Sequence, residues 1–403
     1  MARNLDCDAH RRHHIHPNTL SKSKTMFLRK AYYHGMQTDA SRSKWFGHQS
    51  LRDRTRPEYR GSRAFKGTAM AKNPSWVLRS YPSGMPTVGN WMLEDRPIPE
   101  PAEGELLLKT LWLSVDPYMR GRISPAKNYA AGFGLGDLIS GGGIGEVISS
   151  GSSNFKPGDI VMSDYFGWQL FTTTPASSAK VVTATDAPVQ AWLSYLGMPG
   201  LTAYFSLLKT GKPKEGETVL ISAASGAVGQ IAGQIARIKG LDPVAIVGTD
   251  AKLEWCKKLG YRQGINHRTS TDLVADVAAV CRNGVDVFID NTAGPIHDAA
   301  MLNLNTFGRV VIVGTIALAD RFDQPDIGLR HLRTTLITRA RIEGFLLDDH
   351  EHEFETAKAD LLSWYKQGLL ETKEDVVEGI EAVPYAFVRM LNGENFGKQL
   401  IKL

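Results

Sequence analysis

The stretch that most restricts what this chain can fold into is 218–239. Thr218-Val-Leu-Ile-Ser222 is apolar through its middle and suits a strand buried on both faces. Ala223-Ala-Ser-Gly-Ala-Val-Gly229 follows as a turn of small residues. Val228, Ile231, Ala232, Ile235, Ala236 and Ile238 then recur at helical spacing, so a helix is predicted over 228–239. A buried strand that feeds a helix through a tight turn aims the helix's free N–H groups at whatever lies above the turn. Gly226 and Gly229 omit side chains where a pyrophosphate would have to approach backbone, and Gly233 eases packing of the helix on the sheet. The strict dinucleotide fingerprint wants another glycine at position 224, where Ala224 stands. A strand-to-helix turn without a ligand is the plainer reading of the same residues.

The same rhythm continues downstream. Strands are expected at 244–247, 285–290, 310–313 and 342–347, with helices at 252–259 and near 296–304. Gly260 closes the first of these helices. Such alternation predicts an α/β fold built on a doubly wound parallel sheet. Upstream, 76–180 is broken by Pro and Gly into short apolar runs at 105–114, 143–149 and 159–162, with a turn at Pro157-Gly158. That punctuation suggests small twisted strands. A helix is expected at 352–367 and a short final strand at 396–403.

The second strand of the nucleotide-type unit ends Val247-Gly248-Thr249-Asp250-Ala251-Lys252. Asp250 could bond ribose hydroxyls, as an NAD site requires. Gly248 leaves space, however, and Lys252 could neutralise the additional phosphate of NADP. An ordinary solvated helix lysine is the plain alternative for Lys252.

Charge divides the chain unevenly. Residues 1–70 hold 15 of the 47 Lys and Arg but 5 of the 42 Asp and Glu, which leaves 32 against 37 in the remainder. The segment 1–70 lacks periodicity and is expected to be disordered. It reads as upstream sequence before a start at Met70, as a presequence, or as a basic arm for an acidic partner. Cys7, His10, His13, His14 and His16 could hold a metal there, although such tracts are commonly mere composition. The slightly acidic remainder gives no reason to expect nucleic acid. No apolar run reaches the ~18 residues of a membrane span. Three scattered cysteines cannot build a disulfide framework, so a reducing compartment, the cytoplasm, is expected.

Five motifs carry a family resemblance. They are Leu113-Ser-Val-Asp-Pro-Tyr-Met-Arg-Gly121, Gly197-Met-Pro-Gly-Leu-Thr-Ala-Tyr204, Ala223-Ala-Ser-Gly-Ala-Val-Gly229, Asp290-Asn-Thr-Ala-Gly294 and Gly393-Glu-Asn-Phe-Gly-Lys398. With them, 76–403 resembles the zinc-independent medium-chain dehydrogenase/reductases, and within these the curcumin reductases and the leukotriene/prostaglandin reductases. The resemblance implies a Rossmann sheet inserted into a GroES-like β-rich catalytic domain, and a homodimer. The catalytic domain would occupy 71–195 and 351–403, and the nucleotide domain 196–350.

The resemblance also implies NADPH as cofactor, lying along Ala224, Gly226, Ala227, Val228 and Gly229. Lys252 and His267 would stand at its 2′-phosphate. Met198, Thr202, Asn291, Gly314, Thr315, Phe345 and Asn395 would complete the cofactor set, with Tyr204 in the same motif as Met198. A cysteine-built catalytic zinc is excluded for 71–255, which contains no cysteine. The implied reaction sends hydride to the β-carbon of an enone or enal, and charge then gathers on the carbonyl oxygen. Tyr129 is the expected donor to that oxygen, with Tyr118 and Trp168 lining the substrate pocket. Curcumin-type enzymes carry a second tyrosine after the strand at 310–313. This chain has none there, so either Thr315 shares the role or Tyr129 and the cofactor's ribose hydroxyl suffice. A quinone reductase of the same architecture is the nearest rival. A non-catalytic nucleotide binder with a basic nucleic-acid arm is the more distant one.

Overall fold

The computed structural model describes residues 72–182 and 186–403. The segment 1–70, including Cys7 and its neighbouring histidines, lies outside the described residues.

Seven strands open the described chain: β1 (Lys72–Leu78), β2 (Trp91–Pro97), β3 (Glu105–Ser114), β4 (Ser140–Ser150), β5 (Ile160–Gly167), β6 (Phe171–Pro175) and β7 (Lys180–Val181). A one-turn helix, α1 (Met119–Arg122), follows β3. β1 and β2 form an antiparallel pair. The sheet order β14-β15-β3-β4-β5-β7 recruits two strands from the far end of the chain, β14 (Glu374–Glu378) and β15 (Lys398–Lys402), and β6 adds to β3. The β-rich unit is therefore closed by its own C-terminal strands, and everything between is an insertion.

The insertion holds α2 (Met198–Phe205), β8 (Thr218–Ser222), α3 (Gly229–Ile238), β9 (Asp242–Val247), α4 (Asp250–Lys258), β10 (Gln263–Asn266), α5 (Leu273–Val280), β11 (Val285–Asp290), α6 (Gly294–Leu302), β12 (Leu304–Ile312), α7 (Leu332–Thr338), β13 (Arg341–Gly344) and α8 (Phe354–Lys366). Its strands pair in parallel in the order β10-β9-β8-β11-β12-β13. The order reverses between β8 and β11, and ligands bind at the C-terminal ends of the strands beside such a switch point.

Side chains of each strand alternate between two cores, as a period of two demands. Val219, Ile221, Ala245, Val247, Val287 and Ile289 face α2, α3 and α8. Leu220, Val244, Ile246, Val285, Phe288 and Val310 face α5 and α6. Ile231 and Ile235 of α3 are fully buried, and each such side chain contributes roughly 1.5–3 kcal/mol. Gly233 makes room for a ring: a Cβ there would lie 2.0 Å from Tyr261 Cζ, and the Tyr261 hydroxyl donates to the Gly229 carbonyl at 2.6 Å.

Two expectations need correction. A domain boundary at 350 puts the helix at 352–367 in the returning catalytic segment, yet Ala357 and Leu361 of α8 are fully buried in the nucleotide-unit core with Tyr204 and Phe205. The chain rejoins the β-rich sheet at Glu374, and α9 (Val383–Leu391) then packs Phe387 into the β-rich core. The last parallel strand also stops at Gly344, because 347–353 turns into a 3-10 helix. Among the described residues no helix is long and apolar enough to cross a membrane.

Candidate functional site

The turn after β8 is held by close backbone contact. Ala223 takes a left-handed conformation, φ 47°, and its carbonyl accepts from the Gly226 N–H at 2.8 Å. A Cβ on Gly229 would fall 2.5 Å from that carbonyl oxygen and 2.6 Å from Ala224 Cα, so α3 can start here only without a side chain. Ala224 is fully buried among the apolar residues beneath the turn, which explains why a methyl is accepted where the fingerprint has glycine. Gly226, Ala227 and Val228 remain partly open above it. No acidic residue stands in the first turn of α3. Its free N–H groups and positive dipole end therefore suit a pyrophosphate.

A group of cations stands at the end of β9. Thr249 caps α4 by accepting from the Lys252 N–H at 3.3 Å. The Lys252 ammonium donates to the Gly393 carbonyl at 2.7 Å, and Arg268 Nη2 donates to the neighbouring Asn392 carbonyl at 2.9 Å. A Cβ on Gly248 would be 3.3 Å from Arg268 Nε and 3.4 Å from His267 Nε2, and Arg268 is linked to Lys252 through the adjacent Asn392 and Gly393 carbonyls that the two hold. Burial, then the Arg268 and Arg389 charges, hold the Lys252 ammonium below its ordinary value. Burial, then Arg268 and Lys252, do the same to His267. Asp250, the alternative ribose ligand, instead accepts from Asn266 Nδ2 at 2.8 Å and ties α4 to β10. A half-buried Lys252 and an exposed Arg268 that hold carbonyls rather than carboxylates fit an incoming phosphate dianion. Arg268 was missed in the sequence because it lies in a loop, 124 residues from its Asn392 partner.

The ends of β11 and β12 supply the next group. The buried Asp290 carboxylate accepts from the Thr292 and Ala293 N–H groups at 3.0 and 2.9 Å and from Ser222 Oγ at 3.2 Å. This shapes the turn in which Ala293 sits at φ 61°. Asn291 is fixed to β8 by its side-chain bond to the Ser222 carbonyl at 2.8 Å. Gly314 abuts it: a Cβ there would be 3.1 Å from the Asn291 carbonyl oxygen. Thr315 is exposed just beyond, and Phe345 is buried against His350 with ring centroids 5.7 Å apart. Met198 is half-buried at the start of α2, and Thr202 is buried one turn later. Gly200 precedes it with no room for a Cβ, which would lie 1.9 Å from the Tyr195 carbonyl oxygen. The Tyr204 hydroxyl donates to Asp360 of α8 at 2.7 Å, a tie within the unit. Asn395 Nδ2 bonds the Gly397 carbonyl at 2.9 Å.

In the β-rich unit Tyr118 stands at the N-terminus of α1, partly buried against that unit's core, and Tyr129 lies in the loop beyond it. Burial and then the Asp116 carboxylate push the Tyr118 phenol well above its ordinary value. Tyr129 exposes 62% of its surface. Crowding at the phenol, then the Asp348 and Asp116 carboxylates, still raise it above the usual range. Asp348 follows β13, so one of the two carboxylates that act on Tyr129 belongs to the nucleotide unit. The Thr315 loop runs on through Ile316–Arg321, where the Ala319 carbonyl accepts from Arg120 Nε at 2.7 Å.

Trp168 is a correction. It is 1% exposed and sits between Trp91 and Phe387, each 6.0 Å away between ring centroids. It forms part of the β-rich core, and no face of it is left for a substrate. Among the described residues no three His, Cys, Asp or Glu side chains converge as a metal site.

Two family profiles match, an N-terminal domain of oxidoreductase over 74–182 and a zinc-binding dehydrogenase profile over 227–363. A putative NADP-dependent oxidoreductase, YfmJ of Bacillus subtilis, is 43% identical over 81% of this chain and 96% of its own length. The NADPH-dependent curcumin reductase of Escherichia coli is 34% identical over 84% of this chain and 99% of its own. The crystal structure of CurA from Vibrio vulnificus in complex with NADPH superposes with a TM-score of 0.77. It is 37% identical and covers 82% of this chain and 98% of that one. The glycine turn, the inserted parallel sheet and these relatives agree: the chain belongs to the medium-chain dehydrogenase/reductase family, in the branch that includes curcumin reductase and prostaglandin reductase 1.

Proposed function

We propose that the protein is an NADPH-dependent reductase of the carbon–carbon double bond in α,β-unsaturated ketones and aldehydes. The observation that carries the cofactor choice is the basic group beyond the end of β9, with His267 and Arg268 beside Gly248 and Lys252 and Arg268 on the adjacent Gly393 and Asn392 carbonyls, which suits a 2′-phosphate. Ala224–Gly229 would hold the pyrophosphate, and Asn291, Gly314, Thr315, Phe345, Met198, Thr202 and Asn395 the remainder. When bound, NADPH supplies the hydride for the β-carbon. The residues then have one electrostatic task, which is to meet the negative charge that develops on the carbonyl oxygen. Tyr129 is suited to this: its raised phenol stays protonated at neutral pH and donates. Tyr118 lines the same cleft. Kinship to curcumin and alkenal reductases supports the substrate class.

The test is NADPH oxidation with an enone, an enal and a quinone, with Tyr129→Phe alongside. Enone and enal should be turned over faster than quinone, and Tyr129→Phe should lose roughly 10–100-fold in enone kcat/KM with NADPH affinity kept. A preference for the quinone, indifferent to Tyr129, would favour the rival reductase.

A second copy of the chain is the proposed partner. β13 is an edge strand with every residue exposed, and beside it Leu332, Leu336 and Ile337 of α7 expose 71%, 77% and 63% of their surface. An open sheet edge can be satisfied by the same edge of a second molecule. Leu336→Lys should convert a dimer to a monomer in sedimentation. Nucleic acid is not proposed as a partner. A reducing compartment such as the cytoplasm suits Cys256 and Cys281, both buried free thiols.

A further inference from the structure

We propose that Lys398 and Asp116 form a positioning pair that holds the substrate-side turn and the cofactor-side loop in register for hydride transfer; this rests on the reductase reading above. The Lys398 and Asp116 side chains are only 1% and 7% exposed. The ammonium donates to Asp116 Oδ1 at 2.6 Å, to Ser114 Oγ at 2.6 Å and to the Val115 carbonyl at 3.1 Å, so all three of its hydrogens are used. Ser114 Oγ in turn donates to the other Asp116 oxygen, which closes the network.

What the pair joins makes it more than a core contact. Asp116 begins the turn that carries Tyr118, since its carbonyl accepts from the Met119 N–H at 3.1 Å. Lys398 begins β15 directly after the loop of Asn395, whose side chain bonds the Gly397 carbonyl. Gly397 is fixed from the opposite side: it has φ 87°, and a Cβ on it would lie 2.0 Å from the Lys373 carbonyl oxygen. The β15–β3 ladder stops at the Leu400–Ser114 pair, two residues short of Lys398. Lys398 still pairs with Glu374 of β14, but pairing between β15 and β3 ends before both loops, and the charge pair carries that connection onward.

Stability does not require such a pair. Lysine is almost never fully buried unless paired. Replacing a buried ion pair with neutral groups of similar volume is often neutral or stabilising. What neutral groups do not supply is direction: one ammonium addressed by three oxygens admits one arrangement of the two loops.

The experiment compares the full-length parent with Asp116→Asn/Lys398→Met and with Ser114→Ala. It measures melting temperature, NADPH affinity by titration calorimetry, enone kcat and KM, and the isotope effect with C4-deuterated NADPH. The parent's own enone turnover, measured first, separates failure of the reductase reading from failure of this one. The double variant should melt within a few degrees of the parent and bind NADPH within about threefold, yet lose at least tenfold in kcat with a larger isotope effect. Ser114→Ala keeps both charges and should show the same change at about threefold. Parental kcat and isotope effect in either folded variant would overturn the proposal, as would a loss of kcat that only tracks the loss of folded protein.

Discussion

Removing the Lys252 ammonium should weaken NADPH by about thirtyfold and leave NADH nearly untouched. In the free protein the ammonium is half-buried, bonded to the Gly393 carbonyl, and held below its ordinary value by burial and by Arg268. A phosphate dianion would relieve that repulsion and accept a charge-assisted hydrogen bond, each of which contributes ~1.5–3 kcal/mol. Taking ~2 kcal/mol for Lys252→Ala, at about 1.4 kcal/mol per decade, gives a loss of about thirtyfold. Arg268 is exposed, so solvent screening reduces its share to ~1 kcal/mol, or about fivefold for Arg268→Ala. NADH has no 2′-phosphate and should shift by no more than about twofold in either variant. His267 adds a sign that can be checked. The free protein holds its imidazole below the ordinary value, hence mostly neutral at pH 7, whereas a neighbouring dianion favours the cation. NADPH binding should therefore take up a proton and tighten as pH falls from about 7.5 to 6.5. Titration calorimetry in two buffers of different ionisation enthalpy reads both affinity and proton uptake. Equal weakening of the two coenzymes by Lys252→Ala would refute the phosphate assignment.

Two further outcomes follow from the packing and the titration. Gly233→Ala would drive a methyl into the Tyr261 ring and disturb the hydroxyl bond to Gly229, so urea unfolding should show a loss of ~1–3 kcal/mol, with NADPH affinity falling as the turn shifts. The Tyr129 phenol is raised above its usual value near 10, and its donor form exists below that pKa. Enone kcat should thus show no fall from this group between pH 7 and about 9.5, and a Tyr129-dependent ionisation below pH 9 would contradict its placement.

How much of this could be read in the sequence depended on whether the deciding contact was local. β8 and β11 are legible because their apolar centres are buried on both faces, and β3 because its apolar residues run between turn residues. β10 escaped notice: in Gln263-Gly-Ile-Asn266 only Ile265 is buried, so no pattern marks it. Asn291, Gly314 and Lys252 stand out as candidates in the sequence through motifs and strand ends. Arg268 and Asp348 were not, since each gains its place from residues distant in the chain. The resemblance implies Trp168 in the substrate pocket, and only its packing with Trp91 and Phe387 shows it to be core. α8 was seen as a helix, but periodicity cannot say which of two domains will cover its apolar face. Lys398 ends the motif 393–398, and no local pattern reveals its carboxylate partner, which lies 282 residues away.

In the proposed reaction reduction occurs at the alkene carbon and not at the carbonyl. NADPH deuterated at the transferring C4 position, incubated with the enzyme and a simple enone, tests it by the place where the label lands. Proton and deuterium NMR of the product should show a saturated ketone with one deuterium on the former β-carbon, formed one for one with NADP. Deuterium on a carbinol carbon of an allylic alcohol would contradict it.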